Sequence, residues 1–112
     1  MELTLLRAKL HRIKVTEANL DYEGSLTLDP DDMEAVGLVP YERILCADVE
    51  NGARFETYAM AGRRGSHVCC LNGAAAHLGK VGDLLIVMSF AQMTPEEASA
   101  WQPMVKHFDP VR

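Results

Sequence analysis

The sequence predicts a mainly β protein, a small barrel with two short helices. Short strand-like runs recur along the chain, turn-forming residues separate them, and two segments carry the signature of a capped helix start. With 112 residues, the chain suits a single domain, residues 1–112, with a modest core. Many short strands in so short a chain favour closure into a barrel, because closure removes exposed sheet edges.

The amino-terminal part predicts three strands and the first helix. Asp29 can cap the free N–H groups of a helix, and Pro30 suits its first turn. Gly37 is suited to end that helix in the left-handed conformation. The strand-like runs are residues 3–6, 10–15 and 25–28.

The carboxyl-terminal part predicts a hairpin, three further strands and a second helix. Asn51-Gly52 separates two of these runs and is typical of a two-residue type I′ turn, in which both central residues need positive φ. Thr94, Pro95 and Glu97 form the signature of a capped helix start. The strand-like runs are residues 43–50, 54–60, 68–71, 83–90 and 104–108.

Composition argues against several classes of protein. A net charge of −5 without a basic stretch disfavours binding to nucleic acid or to an anionic membrane. No secretory signal is visible, and the longest apolar run, residues 84–91, is too short to span a bilayer. The odd count of three cysteines, with Cys69 and Cys70 adjacent, predicts free thiols and a cytoplasmic location. Widely separated histidines and unpaired cysteine spacing disfavour a metal site.

Four segments are candidates for chemistry, and each also has an ordinary structural interpretation. Lys9 and His11 alternate on one strand face, which is typical of a solvated face. Gly24-Ser25 is typical of a turn before a strand, and the other two segments suit polar strand residues and a second turn. The four segments are residues 9–11, 22–25, 54–58 and 72–77.

Together, in order and spacing, these segments resemble the aspartate decarboxylase family over nearly the whole chain. No single tetrapeptide is decisive, but the set in register is highly specific. The resemblance implies a double-psi β-barrel, a homotetramer, and active sites at subunit interfaces. The segments that carry it are residues 9–12, 14–16, 22–25, 51–52, 54–55, 57–59, 64–66, 72–77 and 81–83, with Trp101.

The resemblance further implies a proenzyme that cuts itself between Gly24 and Ser25, giving a small chain, residues 1–24, and a larger chain, residues 25–112. In this chemistry the serine hydroxyl attacks the glycine carbonyl, the acyl group moves from nitrogen to oxygen, and the ester eliminates. Ser25 thereby becomes a pyruvoyl group, the covalent cofactor. Thr57 resembles the residue that assists by hydrogen bonding the Gly24 carbonyl oxygen as it becomes negative.

The substrate implied by the resemblance is L-aspartate, converted to β-alanine and CO2 for pantothenate and coenzyme A synthesis. The pyruvoyl group would serve as the electron sink. Arg54 is the best carboxylate clamp because its planar fork binds bidentately, and Lys9 resembles a lysine near the substrate carboxylates. Tyr58 resembles the family's proton donor to the carbanion. The polar lining is Thr57, Asn72, Gly73, Ala74 and Ala75, with Tyr22 and His11 nearby.

Two alternatives stay open at this level: a pyruvoyl decarboxylase of another small acidic amino acid, and a non-catalytic barrel that binds a ligand or partner. Gly24-Ser25 together with Thr57 favours an enzyme, because a binding module needs no such arrangement. Ala47 and Met60 stand where the family often has tryptophan and isoleucine, and the smaller Ala47 is expected to loosen the pocket wall. The sequence does not determine whether cleavage needs a helper protein.

Overall fold

The structure, a computed structural model, describes residues 1–108 and 110–112. The described residues form eight strands, two α-helices and one 3₁₀ helix. The strands are β1 (Leu3–Lys14), β2 (Glu17–Asn19), β3 (Ser25–Leu28), β4 (Arg43–Asp48), β5 (Arg54–Ala61), β6 (Cys69–Asn72), β7 (Leu84–Met93) and β8 (Met104–His107). The helices are α1 (Pro30–Val36) and α2 (Pro95–Ser99), and the 3₁₀ helix spans Gly73–His77.

All eight strands join in one hydrogen-bonded order, β2-β6-β3-β5-β4-β7-β1-β8. The middle of this sheet is antiparallel, with β1 against β7, β7 against β4, and β4 against β5. Three pairs are parallel: β1 with β8, β2 with β6, and β3 with β5. Beyond β1, the Thr16 N–H donates to the Cys69 carbonyl of β6 at 2.8 Å, which connects strands that lie near opposite ends of this order. The predicted mainly β fold is confirmed, and its arrangement is that of a double-psi β-barrel.

The core fills the barrel with aliphatic side chains from most of the strands. Along β4, buried side chains alternate strictly with more exposed ones, as expected for a strand with one face on the core. Burial of one such side chain contributes roughly 1.5–3 kcal/mol, so the set dominates the stability of the fold. The fully buried aliphatic residues are Leu10, Ile13, Val15, Leu26, Leu28, Val36, Ile44, Leu71, Leu85 and Val87.

The first strand differs from its prediction. Residues 3–6 and 10–15 were expected to form two strands, but the structure has one continuous strand, β1, over this region. Its pairing with β7 shifts register twice, once around Arg7 and once around Arg12, where φ is 70°. These irregularities bend and twist a strand locally, so one long strand can follow the curve of the barrel.

The hairpin between β4 and β5 is present, but the expected two-residue type I′ turn is wrong. Its loop has five residues, 49–53, and within it Gly52 alone has a positive φ, of 75°. The Gly52 N–H donates to the Asp48 carbonyl at 2.9 Å. The buried Asp48 carboxylate accepts the N–H groups of Glu50 at 2.8 Å and Asn51 at 3.3 Å, which stabilises this wider loop.

Both helices begin as the sequence predicts. Asp29 caps α1 by accepting the Asp31 N–H at 2.9 Å, and Gly37, with φ of 75°, ends it. Thr94 and Glu97 exchange side-chain and backbone hydrogen bonds at the start of α2, which completes the predicted capping box. Two elements were not predicted: the exposed strand β2 and the 3₁₀ helix after β6. Within the described ranges, no helix has the length and apolar character needed to cross a bilayer.

Candidate active site

Ser25 lies at the start of β3 with its side chain inside the protein, 2% exposed. Its partner across the antiparallel pair is Asn72, the last residue of β6. The Asn72 Nδ2 donates to Ser25 Oγ at 3.0 Å and to Thr27 Oγ1 at 2.8 Å. The Ser25 hydroxyl in turn donates weakly to the Glu23 carbonyl at 3.5 Å. The serine hydroxyl is therefore held in place rather than free to rotate in solvent.

Gly73 packs its backbone directly against Gly24. It has φ of 63°, and a Cβ at this position would lie 2.8 Å from both Cα and N of Gly24 and 2.9 Å from the Tyr22 carbonyl oxygen. Real Cβ atoms essentially never approach so closely. Only glycine therefore fits here, both for its left-handed backbone and for the close approach.

Two cavities flank the Gly24-Ser25 bond. One of about 330 Å³ is lined by Ser25, Asn72 and Tyr22, among others. The other, of about 240 Å³, is lined by Gly24, Thr57, Ala74 and Ala75 together with Phe55, Glu56 and Leu78. The structure thus brings the predicted residues Tyr22, Gly24, Ser25, Thr57, Asn72, Gly73, Ala74 and Ala75 around one peptide bond.

The remaining predicted site residues lie on what we call the outer face, the side of β1, β7, β4 and β5 that points away from the core. Arg54 and Tyr58 lie there because they alternate with Thr57 along β5. His11 is in the same row across the sheet as Arg54, three strands away, or about 14 Å at the usual strand spacing. The outer face comprises Lys9, His11, Arg43, Leu45, Ala47, Arg54, Glu56, Tyr58, Ile86, Met88 and Phe90.

None of Lys9, His11, Arg54 and Tyr58 lines either cavity beside Ser25. Tyr58 stacks on Tyr41, with ring centroids 6.3 Å apart. Burial lowers the pKa of His11, and the charge of Lys9 lowers it further, so the ring is neutral at physiological pH. Within this single chain the residues predicted for self-cleavage therefore converge, while those predicted to bind the substrate carboxylates do not.

Two residues beside Ser25 were not predicted, Thr27 and Cys70. The Cys70 Sγ donates to Asn72 Oδ1 at 3.1 Å, and both side chains line the larger cavity. Period-two alternation along β6 places Cys70 and Asn72 on one face and was a usable signal. Among the described residues, no group of three or more His, Cys, Asp or Glu side chains is arranged to hold a metal ion.

Fold and site define a class: a small β-barrel that holds a buried serine hydroxyl beside a closely packed Gly-Gly contact. Residues 1–111 match the family described as aspartate decarboxylase, so the chain belongs to that family. It is 50% identical over 109 residues to the aspartate 1-decarboxylase of Salinibacter ruber, covering 97% of this chain and 75% of that protein. The enzymes of the same name from Syntrophobacter fumaroxidans and Ruminiclostridium cellulolyticum are 52% and 49% identical, with 97% of this chain and 88% and 85% of theirs covered.

Proposed function

We propose that this protein decarboxylates L-aspartate to β-alanine and CO2, in the synthesis of pantothenate and coenzyme A, after converting Ser25 to a pyruvoyl group. Membership of the aspartate decarboxylase family and relatives at about 50% identity along 97% of the chain support the reaction. The observation that carries self-processing is the buried Ser25 hydroxyl, held by Asn72 next to Gly24.

Self-processing begins when Ser25 Oγ attacks the Gly24 carbonyl carbon. The C–N bond breaks as the acyl group moves to oxygen, so an ester replaces the amide. Thr57 shares a cavity with Gly24. In the proposed reaction its hydroxyl stabilises the negative carbonyl oxygen formed on the way. The ester then loses the Ser25 Cα proton and its Cβ–Oγ bond breaks. Residues 1–24 keep a carboxylate, and the dehydroalanine left at position 25 takes up water and loses ammonia.

The residues around position 25 fit a pyruvoyl group. The cavity beside position 25 offers the Asn72 amide and the Thr27 hydroxyl as hydrogen-bond donors for a carbonyl oxygen. Once formed, the group supplies an electrophilic carbonyl that draws electrons from the departing carboxylate. Arg54 would clamp the carboxylate that stays, with Lys9 as a second cation, and Tyr58 would return a proton to the substrate carbon.

The proposed assembly is a homotetramer with the active site at a subunit boundary. Arg54, Lys9 and Tyr58 lie on the outer face, away from the cavities beside Ser25 in their own protomer. The same face carries large apolar side chains, including Phe90, which is 45% exposed. Packing this face against a neighbouring protomer would cover them and bring the cations to the pyruvoyl of that neighbour. The three buried free cysteines suit a reducing compartment, for which we propose the cytoplasm.

Denaturing mass spectrometry of the purified protein tests this function. We expect one fragment of residues 1–24 and a second beginning at position 25 with a blocked amino terminus. Ser25→Ala should stay full length and release no β-alanine. An active, uncut Ser25→Ala protein would contradict the proposal. Parallel assays of CO2 release from aspartate and glutamate separate aspartate from other acidic substrates, since one added methylene displaces the clamped carboxylate.

A further inference from the structure

Cys70 is the third member of a hydrogen-bonded chain that ends on Ser25. Its Sγ is 3.1 Å from Asn72 Oδ1, and the Asn72 Nδ2 is 3.0 Å from Ser25 Oγ. The second Nδ2 hydrogen is directed at Thr27 Oγ1, 2.8 Å away. Because hydroxyl groups both donate and accept hydrogen bonds, neither Ser25 nor Thr27 fixes which end of the amide faces them. The thiol favours the observed orientation, because Asn72 Oδ1 is the acceptor nearest to its proton, at 3.1 Å, and its sulfur is only a weak acceptor for an N–H group.

We propose that Cys70 is a positioning residue for self-processing, whose thiol holds the Asn72 amide with its N–H group toward Ser25 Oγ. This inference rests on the proposed conversion of Ser25 to a pyruvoyl group. Cys70 itself touches no reacting atom, and it acts only through the orientation of Asn72.

The orientation matters most in the elimination step. In the ester, Oγ joins the Gly24 acyl carbon to Ser25 Cβ. The Cα proton passes to solvent, its electrons form the Cα=Cβ double bond, and Oγ leaves with the Cβ–Oγ electron pair. That oxygen becomes part of the Gly24 carboxylate. An N–H group at 3.0 Å stabilises the developing negative charge, whereas a flipped amide would place its own carbonyl oxygen there.

The surroundings of Cys70 keep the thiol protonated, as this role requires. Burial raises the pKa of Cys70, and the negative charge of Glu17 raises it further. Glu17 is its neighbour across the parallel β2–β6 pair and lines the same cavity. A neutral thiol donates its proton, whereas a thiolate would repel Asn72 Oδ1.

Three variants test the inference. Cys70→Ser keeps a donor, Cys70→Val has a similar shape and no donor, and Cys69→Ala removes the neighbouring thiol, which has no role in this chain of contacts. Newly synthesised chains are followed by denaturing mass spectrometry, with and without neutral hydroxylamine, which cleaves esters. We expect Cys70→Ser and Cys69→Ala to mature like the parent protein. Cys70→Val should mature about tenfold or more slowly, the size expected for losing a hydrogen bond to a charged group.

The hydroxylamine arm separates positioning from a merely structural role. Full-length Cys70→Val chains should be cleaved at Gly24 by hydroxylamine, because the ester accumulates before elimination. Parent-like maturation of Cys70→Val, a Cys70→Ser variant as slow as Cys70→Val, or uncut chains without ester would each overturn the inference. Circular dichroism checks folding, and Cys70→Ala, which adds no bulk, repeats the test if the valine variant is unfolded. An uncut parent protein would instead overturn the proposed function, and the inference with it.

Discussion

Two adjacent residues, Asn72 and Gly73, determine how the backbone packs around Gly24 and Ser25. Gly73 brings its own chain against Gly24 so closely that a methyl group cannot be added, and Asn72, one residue earlier, holds the Ser25 hydroxyl. Because the two are adjacent, the position of one determines that of the other. The Gly24-Ser25 bond is thus held from the side of β6 and the 3₁₀ helix that follows it.

Gly73→Ala should block self-cleavage. The added Cβ meets Gly24 at 2.8 Å, so the bond to be cut must shift, and misplacement by about 1 Å can cost roughly a hundredfold in rate. Gly52→Ala is the matched control, because Gly52 has a similar φ of 75° and no neighbour within 4 Å of its Cβ position. Both variants lose stability because alanine is strained at positive φ, but Gly52→Ala should be cleaved normally. Equal cleavage of the two variants would show that the contact is unimportant.

Arg54→Lys separates substrate binding from maturation. Arg54 is exposed on the outer face and lines neither cavity beside Ser25, so the lysine variant should cleave itself fully. It keeps the charge but loses the bidentate fork, which we expect to lower kcat/KM for aspartate by about 10- to 100-fold. Arg63→Lys, on an exposed loop, should leave self-cleavage and kcat/KM unchanged. Measured β-alanine release at the parent rate would show that the clamp is another residue.

At the scale of elements, buried aspartate side chains connect loops to neighbouring elements. Asp29 caps α1 and also accepts the N–H groups of Gly65 at 3.2 Å and His67 at 2.9 Å, which ties the loop before β6 to the helix. Asp48 and Asp83 form a second connection of this kind. Both are nearly fully buried, and their Oδ2 atoms lie 2.8 Å and 3.6 Å from one Cβ position at Gly79. This pair joins the β4–β5 loop to the turn before β7.

The Asp48–Asp83 pair makes stability depend on pH. Burial raises the pKa of Asp48 and the adjacent Asp83 raises it further, whereas the proximity of Asp48 lowers the pKa of Asp83, so a proton shared by the pair resides on Asp48. Above about pH 4 an unfolded Asp48 is ionised while the folded one keeps its proton. The free energy of unfolding attributable to Asp48 therefore falls as pH rises, until its raised pKa is passed. The Asp83 contribution has the opposite sign and is lost as pH falls through its lowered pKa.

Asp48→Asn should abolish this decline, because the amide donates a hydrogen bond to Asp83 and has no proton to lose. Urea unfolding at a series of pH values above about pH 4 measures the free energy of unfolding of each protein. The variant should gain stability relative to the parent as pH rises, while Asp21→Asn, at an exposed loop carboxylate, should follow the parent curve. Parallel curves for Asp48→Asn and the parent would show that the two carboxyl groups do not share a proton.

At the scale of the whole molecule, local chemistry was readable from the sequence and long-range pairing was not. The caps at Asp29 and Thr94 are set within a few residues, so both helix starts were predicted. The strand β2 is a short polar segment that exists only through its parallel pairing with β6, far along the chain. Cys70 was likewise missed, because its contact with the Ser25 site depends on the pairing of β3 with β6.

The site residues were predicted through family resemblance, and the single chain brings only some of them together. Tyr22, Ser25 and Asn72 share a cavity, whereas Arg54 and Lys9 lie on the outer face. No pattern in the sequence separates these two groups. Their separation follows from strand alternation along β5 and from the order of strands in the sheet. The proposed tetramer removes the difficulty by supplying the second group from a neighbour.

Mixing two inactive variants tests that arrangement directly. Ser25→Ala chains lack the pyruvoyl group but keep Arg54, and Arg54→Ala chains have the opposite defect. If each site combines Ser25 from one protomer with Arg54 from another, random co-assembly in one cell should restore about a quarter of the sites, since each of the two positions is filled correctly half the time. Tetramers purified through different tags on the two chains should then release β-alanine, whereas each variant alone should not. Light scattering confirms the assembly. Mixed tetramers without activity would place Ser25 and Arg54 of each site in the same chain.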